Sequence, residues 1–139
     1  MHVNAYLFFN GRCAEALEFY AKAVGAKTLL TMPFKSMPNA EGHISPEMAD
    51  QIMHAEFKLG DTTIFASDGM PDNAKPHGGY ALTISAASVE EAERMFNALG
   101  EGGSVYMPLG ETFFAERFGS FADKFGIDWM VIFEGKKAP

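Results

Sequence analysis

The alternation of apolar and polar positions runs through the same order of elements twice. Residues 3–9 are apolar and aromatic and predict a strand that ends at Asn10-Gly11. Cys13, Leu17, Tyr20 and Val24 then recur at steps of four, three and four, one face of a helix, with Glu15, Glu18 and Lys22 on the other. Gly25 supplies the stop, because glycine reaches the left-handed conformation that closes a helix at little steric cost. Residues 26–34 predict a second strand. Over residues 35–50 the pattern dissolves into Pro, Asn, Gly and Ser, with a short helical turn expected after Pro46. A loop this long in a compact domain is usually functional or mobile. Order resumes at residues 51–59, where Met53, Ala55, Phe57 and Leu59 alternate with His54, Glu56 and Lys58. Gly60-Asp61 turns the chain back into a strand over residues 62–67, which makes a hairpin.

A breaker-rich connector, residues 68–78, separates this half from the next. Residues 79–85 predict a strand, and Ser88 with Glu91 three positions later forms a capping box. Ala92, Met95, Phe96 and Leu99 give the buried face of a second helix, and Gly100 ends it. Strands follow at residues 103–108, 113–122 and 128–133, with a connection at 110–112 and a turn at 123–126. Each half reads β-α-β-β-β, so the repeat lies in element order and not in residue identity. The predicted class is α+β, a single domain over 1–139 built of two βαβββ modules at about 1–70 and 78–135. One helix covers only one face of each sheet. Burying the other faces predicts two sheets edge to edge, curled into a half-barrel whose concave cleft holds the ligand.

Length and composition narrow the class. A chain of 139 residues with 47% hydrophobic content builds one core, whereas two independent halves would each be marginal. Eighteen acids against eleven bases, a net charge of −7 and no basic patch disfavour nucleic acid as a partner. The single cysteine, Cys13, excludes an intramolecular disulfide and offers no zinc cluster. It reads as a small buried apolar residue; the alternative is a thiol whose pKa is lowered at a helix start. No apolar run approaches the ~20 residues that span a bilayer, and the start of the chain has no signal-peptide pattern, so the expected location is cytoplasmic with no membrane partner.

Specific residues then become recognisable. Tyr6-Leu7-Phe8-Phe9-Asn10-Gly11 with Ala14-Glu15-Ala16-Leu17-Glu18-Phe19-Tyr20 resembles the opening of the PhnB-like branch of the vicinal oxygen chelate superfamily, the glyoxalase, bleomycin-resistance and dioxygenase proteins. Phe65-Ala66-Ser67-Asp68 with Met70-Pro71 is similar to the same branch. The closing stretch carries most of the resemblance: Glu111-Thr112-Phe113-Phe114-Ala115, Phe118-Gly119, Asp123-Lys124-Phe125-Gly126 and Trp129-Met130. It implies the paired βαβββ fold and a homodimer. For activity it implies a range, since the superfamily includes glyoxalases, extradiol dioxygenases, fosfomycin-modifying enzymes and drug-sequestering proteins. Some PhnB-like chains carry a ubiquinone-related methyltransferase label, yet no strand here runs through a Gly-rich turn into a helix that would cradle a nucleotide cofactor.

Metal-using relatives hold a divalent ion with four His or Glu residues, one from the first and one from the last strand of each module. The resemblance places those positions at Ala5, Ala66, Tyr80 (or Gly79) and Met130, none of which is a His or a carboxylate, although Asp68 offers one oxygen. The expectation is therefore no family metal and no cofactor. His54 and Glu56, two apart on a strand, point to one face. They are either a polar solvated strand face or a substitute ligand pair joined by Glu116 or Glu111. His43 and His77 are expected in exposed loops.

Without a metal the cleft offers aromatic surface and a few polar groups. Phe113, Phe114, Phe118, Phe121, Phe125 and Trp129 are core by default, with a subset free to stack a ligand. The candidate ligand-binding residues are Tyr6, His54, Glu56, Ser67, Tyr80, Arg117 and Trp129. Arg117 suits an anionic group, unless it pairs with Glu116 or another nearby acid. Nine methionines, among them Met32, Met37, Met48 and Met53, suggest adaptable apolar surfaces, which core packing explains equally well. Two functions follow: a non-catalytic dimer that binds a small organic metabolite, or a lyase, isomerase or transferase using a metal or an acid/base pair such as His54 and Glu56.

Overall fold

The computed structural model describes residues 1–38, 42, 44–71 and 74–139. His43 lies outside the described residues. The chain divides into two compact units, Met1–Lys75 and Pro76–Pro139, each a four-stranded sheet with one helix. The first contains β1 (Tyr6–Phe8), α1 (Cys13–Val24), β2 (Lys27–Pro33), β3 (Ile52–Leu59) and β4 (Thr62–Ser67). Its order is β1-β4-β3-β2, with β1 parallel to β4 and the other pairs antiparallel. The second contains β5 (Leu82–Ser85), α2 (Val89–Leu99), β6 (Ser104–Gly110), β7 (Arg117–Ala122) and β8 (Asp128–Phe133), in the order β5-β8-β7-β6, with β5 parallel to β8. The class is α+β, and the repeat of element order is a repeat of topology.

In each unit the predicted helix face is buried. Cys13, Leu17 and Tyr20 pack α1 onto the first sheet, where Tyr20 stacks on Phe57 with ring centroids 5.8 Å apart. Ala92, Phe96 and Leu99 pack α2 onto the second, and Phe96 meets Phe121 edge to face at 5.1 Å. Gly25 ends α1 with a φ of +71°, as its sequence position predicts. Gly100 ends α2 in a right-handed conformation instead, with its N–H bonded to the Phe96 carbonyl. Half of the capping box forms: the Ser88 hydroxyl accepts the Glu91 N–H at 3.1 Å, while the Glu91 carboxylate reaches past the cap residue to accept the Ala87 N–H at 2.9 Å. The turn expected after Pro46 is present, with the Ala49 N–H bonded to the Pro46 carbonyl at 3.3 Å.

Three strands start three or more residues later than predicted. β1 starts at Tyr6 and not at Val3, and β5 starts at Leu82 and not at Gly79. The stretch 113–116 is a loop in which the Thr112 hydroxyl accepts the N–H groups of Phe114 and Ala115, at 3.3 and 3.1 Å. Phe113 is 94% exposed, so this aromatic is not core. Among the described residues no helix is long and apolar enough to cross a membrane.

Candidate functional site

Strand alternation sorts the first sheet into two faces. Ala55 and Phe57 of β3 and Ile64 and Ala66 of β4 are buried beneath α1. The opposite face therefore carries His54 and Glu56 from β3 and Phe65 from β4. The register adds Tyr6 beside Phe65, Leu30 beside Glu56 and Met32 beside His54.

On this face three polar side chains form one hydrogen-bonded file. Tyr6 Oη lies 2.7 Å from His54 Nδ1, and His54 Nε2 lies 3.1 Å from Glu56 Oε2. Aromatic rings frame the file: Phe65 meets His54 at 5.3 Å and Tyr6 at 5.8 Å, and Phe8 stacks on Tyr6 at 4.9 Å. Tyr6, Phe8, Leu30 and Met32 each remain 39–47% exposed. Partial burial raises the Tyr6 phenol above its ordinary value, with smaller contributions from Cys13 and Glu56.

The remaining predicted residues each make contacts within their own unit. Ser67 is buried, and its hydroxyl accepts the Gly69 N–H at 2.8 Å. Tyr80 belongs to the second unit, where its Oη lies 3.0 Å from His77 Nδ1 and its phenol is raised by burial and then by Asp128 and Asp123. Nearby on that sheet the Tyr106 hydroxyl donates to Asp128 at 2.9 Å. Arg117 donates to the Glu116 carbonyl at 2.7 Å and lies 3.8 Å from the Glu93 carboxylate of α2. Trp129 is buried in the core of the second unit and donates its indole N–H to Asp123 at 2.9 Å. Phe8 and Phe65 were not among the sequence candidates. Phe8 sits two positions after Tyr6, and Phe65 sits at the other parity from the buried Ile64 and Ala66, which is the signal that marks them.

The donor set does not suit a divalent cation. Ala5, Ala66 and Met130 carry no metal-binding oxygen or nitrogen, and the Ala5 carbonyl accepts the Phe65 N–H at 2.9 Å. Both oxygens of Asp68 are occupied, by the Cys13 N–H at 2.8 Å and the Ile52 N–H at 2.7 Å. Glu116 accepts the Lys136 N–H, and Glu111 pairs with Lys137 within the second unit. Among the described residues no three His, Cys, Asp or Glu side chains converge. At the helix starts, Asp68 accepts the first N–H of α1 and the Ser88 hydroxyl accepts the Glu91 N–H of α2.

Comparison with known proteins decides the family. Residues 1–132 match the family model described as 3-demethylubiquinone-9 3-methyltransferase. The chain belongs to this PhnB-like family. Protein YjdN of Escherichia coli K12 is 34% identical over 94% of each chain. The solved structure of PA1353 from Pseudomonas aeruginosa is 41% identical, covers 96% of this chain and 98% of its own, and superposes with a TM-score of 0.85. The PhnB protein from Bacillus cereus, at 23% identity over 96% and 99% of the two chains, shares the fold with a TM-score of 0.79. A member of the glyoxalase/bleomycin resistance/dioxygenase superfamily from Sphaerobacter thermophilus shares it at 14% identity over 96% and 98%, with a TM-score of 0.59. The PhnB-like chain thus has the superfamily fold.

Proposed function

We propose that this PhnB-like protein binds a small organic metabolite on the exposed face of its first sheet, without the family metal. The observation that supports it is the Tyr6–His54–Glu56 file set among Phe8, Phe65, Leu30 and Met32. A few fixed polar groups within an apolar, aromatic surface orient and hold a small ligand. The test is titration of the isotope-labelled chain with small neutral aromatic compounds. Shifts centred on β1, β3 and β4 are expected, with affinities that Tyr6→Phe and His54→Leu alter. Shifts centred elsewhere, or none with any compound, overturn the reading.

A second reading makes the same file catalytic. An imidazole with a carboxylate on one nitrogen and a phenol on the other is arranged for acid/base chemistry, with His54 as the base. Turnover of an oxygenated metabolite that His54→Leu abolishes, with binding retained, distinguishes it. A homodimer belongs to the same proposal. Edge strands β2 and β6 expose Leu29, and Val105, Tyr106 and Met107, surfaces that a second copy would cover.

A further inference from the structure

We infer that the ligand on the Tyr6–His54–Glu56 face is a neutral molecule that presents a hydrogen-bond donor, an alcohol or phenol hydroxyl, to the Tyr6 oxygen. This deepens the binding reading above and rests on it. The inference follows from the direction of the hydrogen bonds. An ionised carboxylate only accepts, so the 3.1 Å contact between Glu56 Oε2 and His54 Nε2 places the imidazole proton on Nε2. A neutral imidazole has one N–H, so Nδ1 is an acceptor. The 2.7 Å contact to Tyr6 Oη then consumes the phenol proton. Partial burial holds that phenol in its protonated form.

What Tyr6 offers outward is a lone pair. A ketone or ether would set its own lone pair against that oxygen, whereas a hydroxyl completes the file and donates into it. The Glu56 carboxylate disfavours an anion at the same place. The stacked rings of Tyr6 and Phe8, with Phe65 and Met32 alongside, favour an aromatic or alkyl body.

The experiment titrates the isotope-labelled full chain with 4-ethylphenol, 4-ethylanisole and acetophenone, following backbone resonances of β1, β3 and β4. The phenol is expected to bind about 2- to 10-fold tighter than the two acceptor-only probes, the range of one net neutral hydrogen bond. Tyr6→Phe levels the three affinities. His54→Leu returns the phenol proton to Tyr6 and moves the preference toward acetophenone. Both side chains are part-exposed, and preserved spectral dispersion reports that the variants fold. Acetophenone binding the wild-type face as tightly as the phenol overturns the inference. Equal affinities with shifts on this face remove the donor rule and leave the binding reading standing. No shifts on this face from any probe remove the binding reading, and the inference falls with it.

Discussion

The Asp68 carboxylate caps helix α1 across 55 positions of sequence. Its Oδ1 accepts the Cys13 N–H at 2.8 Å, while its Oδ2 accepts the Ile52 N–H at 2.7 Å. Arg12, at the cap position itself, accepts no helix N–H with its side chain; its guanidinium pairs instead with the Glu15 carboxylate at 2.9 Å. A negative group at a helix start satisfies an orphan donor and complements the helix dipole. Here it also ties the end of β4 to the first residue of β3. Asp68→Ala leaves two N–H groups without partners, and a loss of about 2–4 kcal/mol is expected from urea unfolding. Asp68→Asn keeps acceptor capacity on one oxygen and is expected to fall between the two. An alanine variant within about 0.5 kcal/mol of wild type would remove the capping argument.

Cys13 lies fully buried at that same helix start, so burial decides its chemistry. Desolvation first, then the Asp68 charge, pushes the thiol up to about 12. The lowered-pKa alternative for a thiol at a helix start is overturned because Asp68 already occupies the site of positive potential. The native protein is therefore expected to resist a disulfide reagent at about pH 8 and to react fully once unfolded. The folded pKa exceeds the unfolded value near 9, so the unfolded state releases this proton first. Stability is complete below that value and declines as pH rises from about 9 toward 12, by at most about 1.4 kcal/mol per pH unit. Urea midpoints across that interval check it, with Cys13→Ala flattening the decline.

The second unit has its own buried carboxylate. Asp123 accepts the N–H groups of Phe125 and Ile127 at 2.8 and 3.1 Å and the Trp129 indole at 2.9 Å. Asp123→Ala is expected to cost about 2–4 kcal/mol. Trp129 is the only tryptophan, so its emission reports this unit directly. A red-shifted native spectrum and a lower urea midpoint are expected; an unchanged emission maximum would show that the indole bond does not hold the ring.

These two carboxylates mark where sequence reading succeeds and where it stops. Ser88 and Glu91 sit three positions apart, so their capping box is legible as a local pattern. Asp68 serves the same purpose for α1, but its partner is remote and nothing within a window of Cys13 reveals it. The repeat of β-α-β-β-β was legible because strand and helix periods are local. Strand ends were not: Phe113 and Phe114 have strand propensity, yet the Thr112 hydroxyl holds their segment as a turn. Of the candidate site, the His54–Glu56 spacing was legible from period two, and Tyr6 was named as a ligand contact. Their assembly into one file depends on β1 and β3 flanking β4, which only the sheet order supplies. Trp129 and Arg117 carry the residue types of a binding site. Their packing against Asp123 and Glu93 is tertiary information.

Gly119 is needed for contact between α2 and β7. A Cβ there would lie 2.7 Å from the Phe96 ring and 2.9 Å from the Leu109 backbone. The ring can rotate but the strand backbone has no such freedom, so Gly119→Ala must part β6 from β7. A loss of about 1–3 kcal/mol is expected. Gly25→Ala is a useful contrast, since a Cβ at Gly25 meets nothing within 4 Å and only the left-handed backbone resists it. Faster amide exchange in β6 for the first variant and not for the second is the check.

Tyr6 provides a measurement of the site that needs no ligand. Its phenol is raised first by burial, then by Cys13 and Glu56, so its ionisation belongs above the ordinary tyrosine value. The phenolate absorbance of wild type minus that of Tyr6→Phe isolates this one titration from those of the other three tyrosines. Glu56→Gln removes one negative charge and is expected to lower the midpoint while leaving it above the ordinary value, because burial is the larger cause. The same substitution also removes the acceptor that fixes the proton on His54 Nε2. An amide can donate as well as accept, so the imidazole regains its choice of tautomer, and Tyr6 loses part of the bond that holds its proton. A titration for Tyr6 at or below the ordinary value in wild type would mean that the phenol is solvated and the file open, and the donor rule for the ligand would lose its basis.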